Sequence, residues 1–277
     1  MMEARPRAIA TGLLSCWPGL FDWWDKRRPM GNTASSAYSR GVWRHHAANA
    51  AVAGVTWPRA VGELGPGASL GACIAALLDG VERAVGLDAG QYADPEANLR
   101  VLAELLEADS RPVDPALSQS VAAAGGPHET VLRYAAPWTD PDICAAGSLD
   151  IVFSHSVMEH VDDPALTYRA CALWLRPGGV MSHKIDHSSH GLTRSWNGHY
   201  GLSARVWAVI YGRRPYLLNR MRPRDHLALI RAAGFEILPE SRFVIDDAGR
   251  QSEIGLNDPW PDDLLIRTSD IIARKPV

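Results

Sequence analysis

Val61-Gly62-Glu63-Leu64-Gly65-Pro66-Gly67-Ala68-Ser69-Leu70-Gly71 is a short apolar run that ends near an acid and turns through Gly65 and Gly67. It predicts a strand, a Gly-rich turn and a helix opening at Ser69, whose hydroxyl can cap the first free N–H groups. Ala84-Val85-Gly86-Leu87-Asp88 predicts a second strand, and Asp88 falls 23 residues after Gly65. In a strand-helix-strand unit that separation suits a carboxylate accepting from two ribose hydroxyls. The stretch therefore points to a cofactor that carries adenosine.

Charge and spacing narrow the cofactor. A dinucleotide site places its third glycine three residues after the second and leaves backbone N–H groups open to a pyrophosphate. Here the third glycine is Gly71, one position late, Pro66 occupies the turn, and the Glu63 carboxylate precedes it. Two phosphates would be repelled there, whereas a cationic sulfonium with an ammonium group would not.

Two later stretches fall into the same frame: Leu149-Asp150-Ile151-Val152-Phe153-Ser154-His155-Ser156-Val157-Met158-Glu159-His160-Val161, and Leu175-Arg176-Pro177-Gly178-Gly179. Together with E-x-G-P-G and the strand ending Leu87-Asp88, they resemble the motifs of class I S-adenosylmethionine (SAM)-dependent methyltransferases. The resemblance covers about residues 59–277 and is densest over 61–186. It implies an α/β fold, a doubly wound and mostly parallel seven-stranded sheet, with SAM as cofactor.

By motif position, the resemblance implies that Glu63, Gly65, Pro66 and Gly67 hold the methionine part of SAM and that Asp88 holds its ribose. Trp138, after the third strand, would lie against adenine, and Ser154 and His155, at the end of the fourth, would lie beside the methyl group. A hydroxyl acceptor also needs a proton acceptor. The candidates are His155, His187 and His190, the last two just past the fifth strand. Glu159-His160 reads instead as the start of the following helix. His183-x-x-Asp186-His187-x-x-His190 has no recognised metalloenzyme spacing, so no metal is expected.

Composition bounds the alternatives. The 277 residues are 47% hydrophobic and 21% charged, with a net charge of −3. One α/β domain with an added cap accommodates that length. The charge argues against a general nucleic-acid binder. No apolar run reaches membrane-spanning length, and no signal-peptide pattern opens the chain. Cys16, Cys73, Cys144 and Cys171 lack paired spacing and read as reduced thiols, which suits the cytoplasm.

The organisation expected is a cap or lid over residues 1–57, then a catalytic domain over 58–277. Trp17, Trp23, Trp24, Trp43 and Trp57 mark the first segment, with Tyr38, Val42, His45 and His46 at helical spacing and a loop around Pro29-Met30-Gly31-Asn32. Asp94-Pro95-Glu96 and Asp163-Pro164 each begin a helix. The first of these carries Leu99, Leu102, Leu105 and Leu106 on one side. Residues 109–128 show no period and read as loop. Val131 to Tyr134 and Val180 to Asp186 read as the third and fifth strands, Pro223 opens another helix, and Ile266 to Arg274 closes the sheet.

Residues 187–222 form an insertion rich in His, Trp, Tyr and Arg. Six arginines, Arg205, Arg213, Arg214, Arg220, Arg222 and Arg224, read either as a solvated face or as an anion pocket. A small acceptor with a ring or an anionic group fits that content, and a homodimer is possible on this sequence. Two rival uses of the same motifs stand beside methyl transfer to oxygen. One is intramolecular displacement on SAM that releases methylthioadenosine, and the other is SAM binding without catalysis.

Overall fold

In the computed structural model, residues 3–17, 19, 21, 34–125, 130–138 and 140–277 are described. Trp23, Trp24 and the loop expected around Pro29-Met30-Gly31-Asn32 lie outside the described residues. The chain order is α1 (Pro6–Leu14), α2 (Ser36–Val52), β1 (Ala60–Leu64), α3 (Gly71–Leu78), β2 (Arg83–Leu87), α4 (Pro95–Ala108), α5 (Pro115–Ala123) and β3 (Leu132–Ala135). There follow β4 (Leu149–His155), α6 (Pro164–Trp174), β5 (Leu175–Asp186), α7 (Ala204–Tyr211), α8 (Pro223–Ala232), β6 (Glu236–Ile237), β7 (Arg242–Asp247), β8 (Arg250–Gly255) and β9 (Ile266–Arg274).

The strands make one sheet in the order β3-β2-β1-β4-β5-β9-β7-β8, with β6 also on β9. Pairs from β3 through β5 are parallel, and every pair involving β9 or β8 is antiparallel. Among the described residues, nine strands thus replace the seven expected. The additional ones are the two-residue β6 and a hairpin partner, β8. That hairpin turns through Ala248 and Gly249, whose φ values of +52° and +84° are both positive, as a tight two-residue hairpin turn requires.

Period-2 alternation sends β4 side chains to two different layers. Ile151 and Phe153 join the core under α2, α3 and α4. Val152 joins the core under α6 and α8. A third apolar cluster unites the N-terminus with the insertion: Ala4 and Ala8 pack with Leu192, Leu202, Ile210 and Leu218. At Gly12 of α1, a Cβ would stand 2.0 Å from the Val209 carbonyl oxygen, so only glycine lets α1 lie this close to α7.

Local capping follows the sequence in two helices and departs from it in a third. Asp94 accepts from the Ala97 N–H at 3.0 Å, and Asp163 from the Leu166 N–H at 2.8 Å. Ser69 is not a cap. The helix starts at Gly71, and Asn98 of α4 accepts the Leu70 N–H at 2.7 Å, so a neighbouring helix supplies the cap that the turn itself does not. The stretch expected to be loop contains α5, begun by Asp114, which accepts from the Ala116 N–H at 2.8 Å. On α4 the buried stripe is Val101, Leu102, Leu105 and Leu106, while Leu99 is exposed.

Trp43 is buried and donates to Asp79, whereas Trp17 and Trp57 are exposed. All four cysteines are free thiols. Among the described residues, no helix is long and apolar enough to cross a membrane.

Candidate active site

The parallel strands end together, and a cavity of about 780 Å³ opens beyond their carboxyl ends. Its floor is the turn after β1. Gly65 and Gly67 hold φ of +64° and +72°. A Cβ on Gly65 would come within 2.6 Å of the Val157 side chain, so the turn and the segment after β4 close on each other only through a glycine.

Asp88, at the end of β2, fixes this floor. One carboxylate oxygen accepts from the Gly67 N–H at 3.0 Å and the other from the Ala89 N–H at 2.7 Å. Each keeps acceptor capacity toward the cavity that it lines, which fits a ribose diol. Burial pushes the Asp88 carboxyl above its usual range, against the two backbone hydrogen bonds. Trp138 lines the same end, its ring edge-on to Trp174 at 5.2 Å. A cavity floored by a left-handed glycine turn and walled by a carboxylate and an indole has the size and chemistry for a nucleoside cofactor.

The other expected cofactor residues lie outside the cavity lining. Glu63 points to the α2 side of the sheet, where Cys73 of α3 donates its S–H at 3.3 Å. Burial raises its carboxyl to about 8, opposed by the Cys73 hydrogen bond and reinforced by Asp88. At neutral pH Glu63 is mostly protonated, so its charge is not what disfavours a pyrophosphate; the glycine spacing and Pro66 remain. Pro66 packs toward Gly86 of β2. Ser154 is buried and shares a 2.8 Å hydrogen bond with His183.

The three proton-acceptor candidates separate. His155 falls on the α2 face, 3.4 Å from His46 Nε2 through its own Nδ1 and edge-on to Tyr38. His187 is buried, with Nε2 at 2.8 Å from the Ser269 hydroxyl. His190 lines the cavity, with Nε2 at 3.3 Å from an Asp186 carboxylate oxygen. Its φ of +47° is a left-handed conformation that a non-glycine residue adopts only when its surroundings impose it.

Beside it the sequence missed His160. The 3-10 turn Met158–His160 brings its ring to 5.0 Å from that of His190, where both line the cavity. Burial and then the nearby His190 hold His160 down at about 4, so it is neutral. Ser156, with φ of +56°, makes the bend that directs this turn inward; nothing in the residue types announces it. The insertion lines the same cavity through Arg214, Pro215, Tyr216, Leu217 and Leu218. Of the six arginines, Arg214 is buried here and Arg213 is exposed. Arg220 is spent on the Tyr200 and Leu202 carbonyls, and Arg224 on Asp263.

With this geometry in hand, a family model described as a methyltransferase domain matches residues 63–182. Residues 63–182 are thus a methyltransferase domain, the stretch in which the resemblance to class I SAM-dependent methyltransferases is densest. SAM is its cofactor. No curated protein matches it in sequence.

Solved structures are similar to this chain at low identity. One is a chain of the Haloferax volcanii complex between the Trm112 methyltransferase activator and a proposed methyltransferase. It is 19% identical, with 90% of this chain and 100% of that one covered and a TM-score of 0.45. A SAM-dependent methyltransferase from Mesorhizobium loti is 18% identical, with 79% and 91% covered and a TM-score of 0.42. The [4+2]-cyclase SpnF is 15% identical, with 85% and 81% covered and a TM-score of 0.47.

Proposed function

We propose that this methyltransferase transfers the methyl group to a hydroxyl oxygen of a small-molecule acceptor held in the half of the cavity between the glycine turn and His190. The observation that carries this reading is continuity. One cavity is lined by Gly65, Gly67 and Asp88 and also by His160 and His190.

SAM supplies a methyl carbon activated by its positive sulfur, so the protein has mainly to align and to handle a proton. Asp88 and Trp138 set the cofactor end. Within the carboxyl of Asp186, burial pushes the pKa up, but the hydrogen bonds from His190 and Ser188 outweigh it and hold the group at about 2. Asp186 is therefore a fixed anion that orients the His190 ring toward the acceptor. Arg214, which donates to the Ile210 carbonyl, lines the cavity as well, and a basic side chain there suits an acceptor with an anionic or strongly polar group. Residues 1–57 are the cap and 58–277 the catalytic domain, a division supported by the packing of Ala4 and Ala8 on Leu192, Ile210 and Leu218 of the insertion.

Incubation with methyl-labelled SAM and a panel of hydroxylated and carboxylated small molecules tests the reading. S-adenosylhomocysteine formed together with an O-methyl product supports it. Methylthioadenosine from SAM alone would replace it with displacement on the cofactor's own chain. Arg214→Ala is expected to raise the acceptor KM while leaving SAM affinity unchanged.

A further inference from the structure

Glu159, His160 and His190 each bring one ligand atom to within 4.8 Å of the others, and the two histidines line the cavity. The neighbours of the three are arranged as around a metal. The His160 Nδ1 lies 2.9 Å from the Tyr216 carbonyl oxygen, so Nδ1–H donates and Nε2 is left with its lone pair. The His190 Nε2 faces Asp186, which leaves Nδ1 as the free donor atom. Glu159 is 4% exposed, and its Oε1 accepts from the Asp186 N–H at 3.4 Å. Its Oε2 is buried and finds no hydrogen-bond partner among the described residues. A buried carboxylate oxygen with nothing to accept from is costly unless something positive meets it.

We propose that Glu159, His160 and His190 bind a divalent first-row transition cation. Two imidazole nitrogens and one carboxylate oxygen are the donor set of such ions rather than of calcium or magnesium, and a three-residue set leaves coordination positions open. Asp186 and the Tyr216 carbonyl are the outer partners that orient the two rings, as metal-bound histidines ordinarily require. Ligand bonds of about 2.0–2.2 Å draw the three groups closer together than they stand here.

The role that follows rests on the reading of this part of the cavity as the acceptor end. An acceptor hydroxyl in an open position binds the cation through oxygen, and its O–H proton passes to water at a pH where a free hydroxyl keeps it. The oxygen then forms the bond to the methyl carbon as the carbon–sulfur bond breaks and its electron pair returns to sulfur. With the cation bound, His190 acts as a ligand, and without it as the base.

The test is metal binding by tag-free protein stripped with a chelator. Zn²⁺ and Mn²⁺ are titrated by calorimetry, stoichiometry is read by elemental analysis, and SAM affinity is measured alongside as the check on folding. One equivalent per chain is expected for at least one of the ions. His190→Ala and Glu159→Gln are expected to weaken it by roughly 100-fold or more, and the positioning change Asp186→Asn by about 10–100-fold, with SAM affinity retained. His155→Ala, on the other face of the sheet, is expected to bind the ion as the parent does. Absence of stoichiometric binding, or His190→Ala binding like the parent, would overturn the proposal. Either result leaves methyl transfer standing, because that is read from products.

Discussion

Two histidine clusters flank the end of β4, built from the same residue types and differing in what is left over. On the α2 face, His46 bonds Ser182 at 2.7 Å and His155 at 3.4 Å, His45 bonds Asp270 at 3.1 Å, and Asn49 donates to both Ser182 and Asp270 at 3.0 Å. Those hydrogen bonds run between a helix and the sheet it covers. Beside the cavity, His160, His190 and Glu159 each hold one orienting hydrogen bond; the two histidines line the cavity, and Glu159 Oε2 is buried with no partner among the described residues. A network closed on itself holds an element in place, while one open on one side has capacity for a ligand. Cluster composition therefore says less than the balance of partners.

The sharpest way to break this contrast is to remove one histidine from each face. His190→Ala is expected to lower turnover by about 10²–10⁴-fold, the range of a lost proton-transfer group, with little change in melting temperature. His155→Ala is expected to do the reverse, losing stability while turnover stays within a few-fold. Measuring S-adenosylhomocysteine formation and thermal unfolding on both variants decides it, and interchanged phenotypes would assign the chemistry to the α2 face.

Next in size is the anchor of the cavity floor. Asp88→Ala removes the acceptor for two ribose hydroxyls and the brace on the Gly67 N–H. Charge-assisted hydrogen bonds of this kind amount to about 3 kcal/mol together, or roughly 100-fold in SAM affinity by calorimetry. An unchanged affinity would mean that the cofactor lies elsewhere.

How much of this was legible in the residues divides along the same line. Gly65, Gly67 and Asp88 could be read because a turn with positive φ and a carboxylate one strand later are local facts. Ile266 to Arg274 was legible as a closing strand through its alternation. His155 was not, because its destination depends on which face α2 covers, and that is set by packing more than a hundred residues away. His160 was read as the beginning of a helix because Glu-His-Val carries no sign of the Ser156 bend that turns the ring inward. Strands β6 and β8 escaped for another reason: β8 is mostly exposed, so no apolar alternation marks it.

A smaller effect tests whether the α2 cluster is structural. Ser182 is fully buried and accepts or donates in two bonds at once, to His46 and to Asn49. Ser182→Ala leaves two polar partners short, which costs about 2 kcal/mol in urea unfolding, with SAM affinity unchanged. A loss of affinity without a loss of stability would move this cluster into the site.

The mildest prediction compares two carboxyls on opposite faces. Burial raises Glu63 and Glu159 alike to about 8, Glu63 against a Cys73 hydrogen bond and Glu159 with an atom unsatisfied. The unfolded chain gives up these protons near pH 4.3, while the folded chain keeps them to about pH 8. Fewer protons bound in the unfolded state means that stability falls as pH rises through this window. Above about pH 7 the buried histidines, all held below their ordinary value, are neutral in both states and contribute no slope. Each carboxyl then adds a slope of at most about 1.4 kcal/mol per pH unit, fading as pH 8 is reached. Urea unfolding between about pH 7 and 8 should show this decline, with Glu63→Gln and Glu159→Gln each removing part of it. A saturating divalent cation should flatten the share of Glu159 and leave that of Glu63, because only the first stands within ligand distance of His160 and His190. If the cation flattened neither, the open face would be no better a ligand site than the closed one.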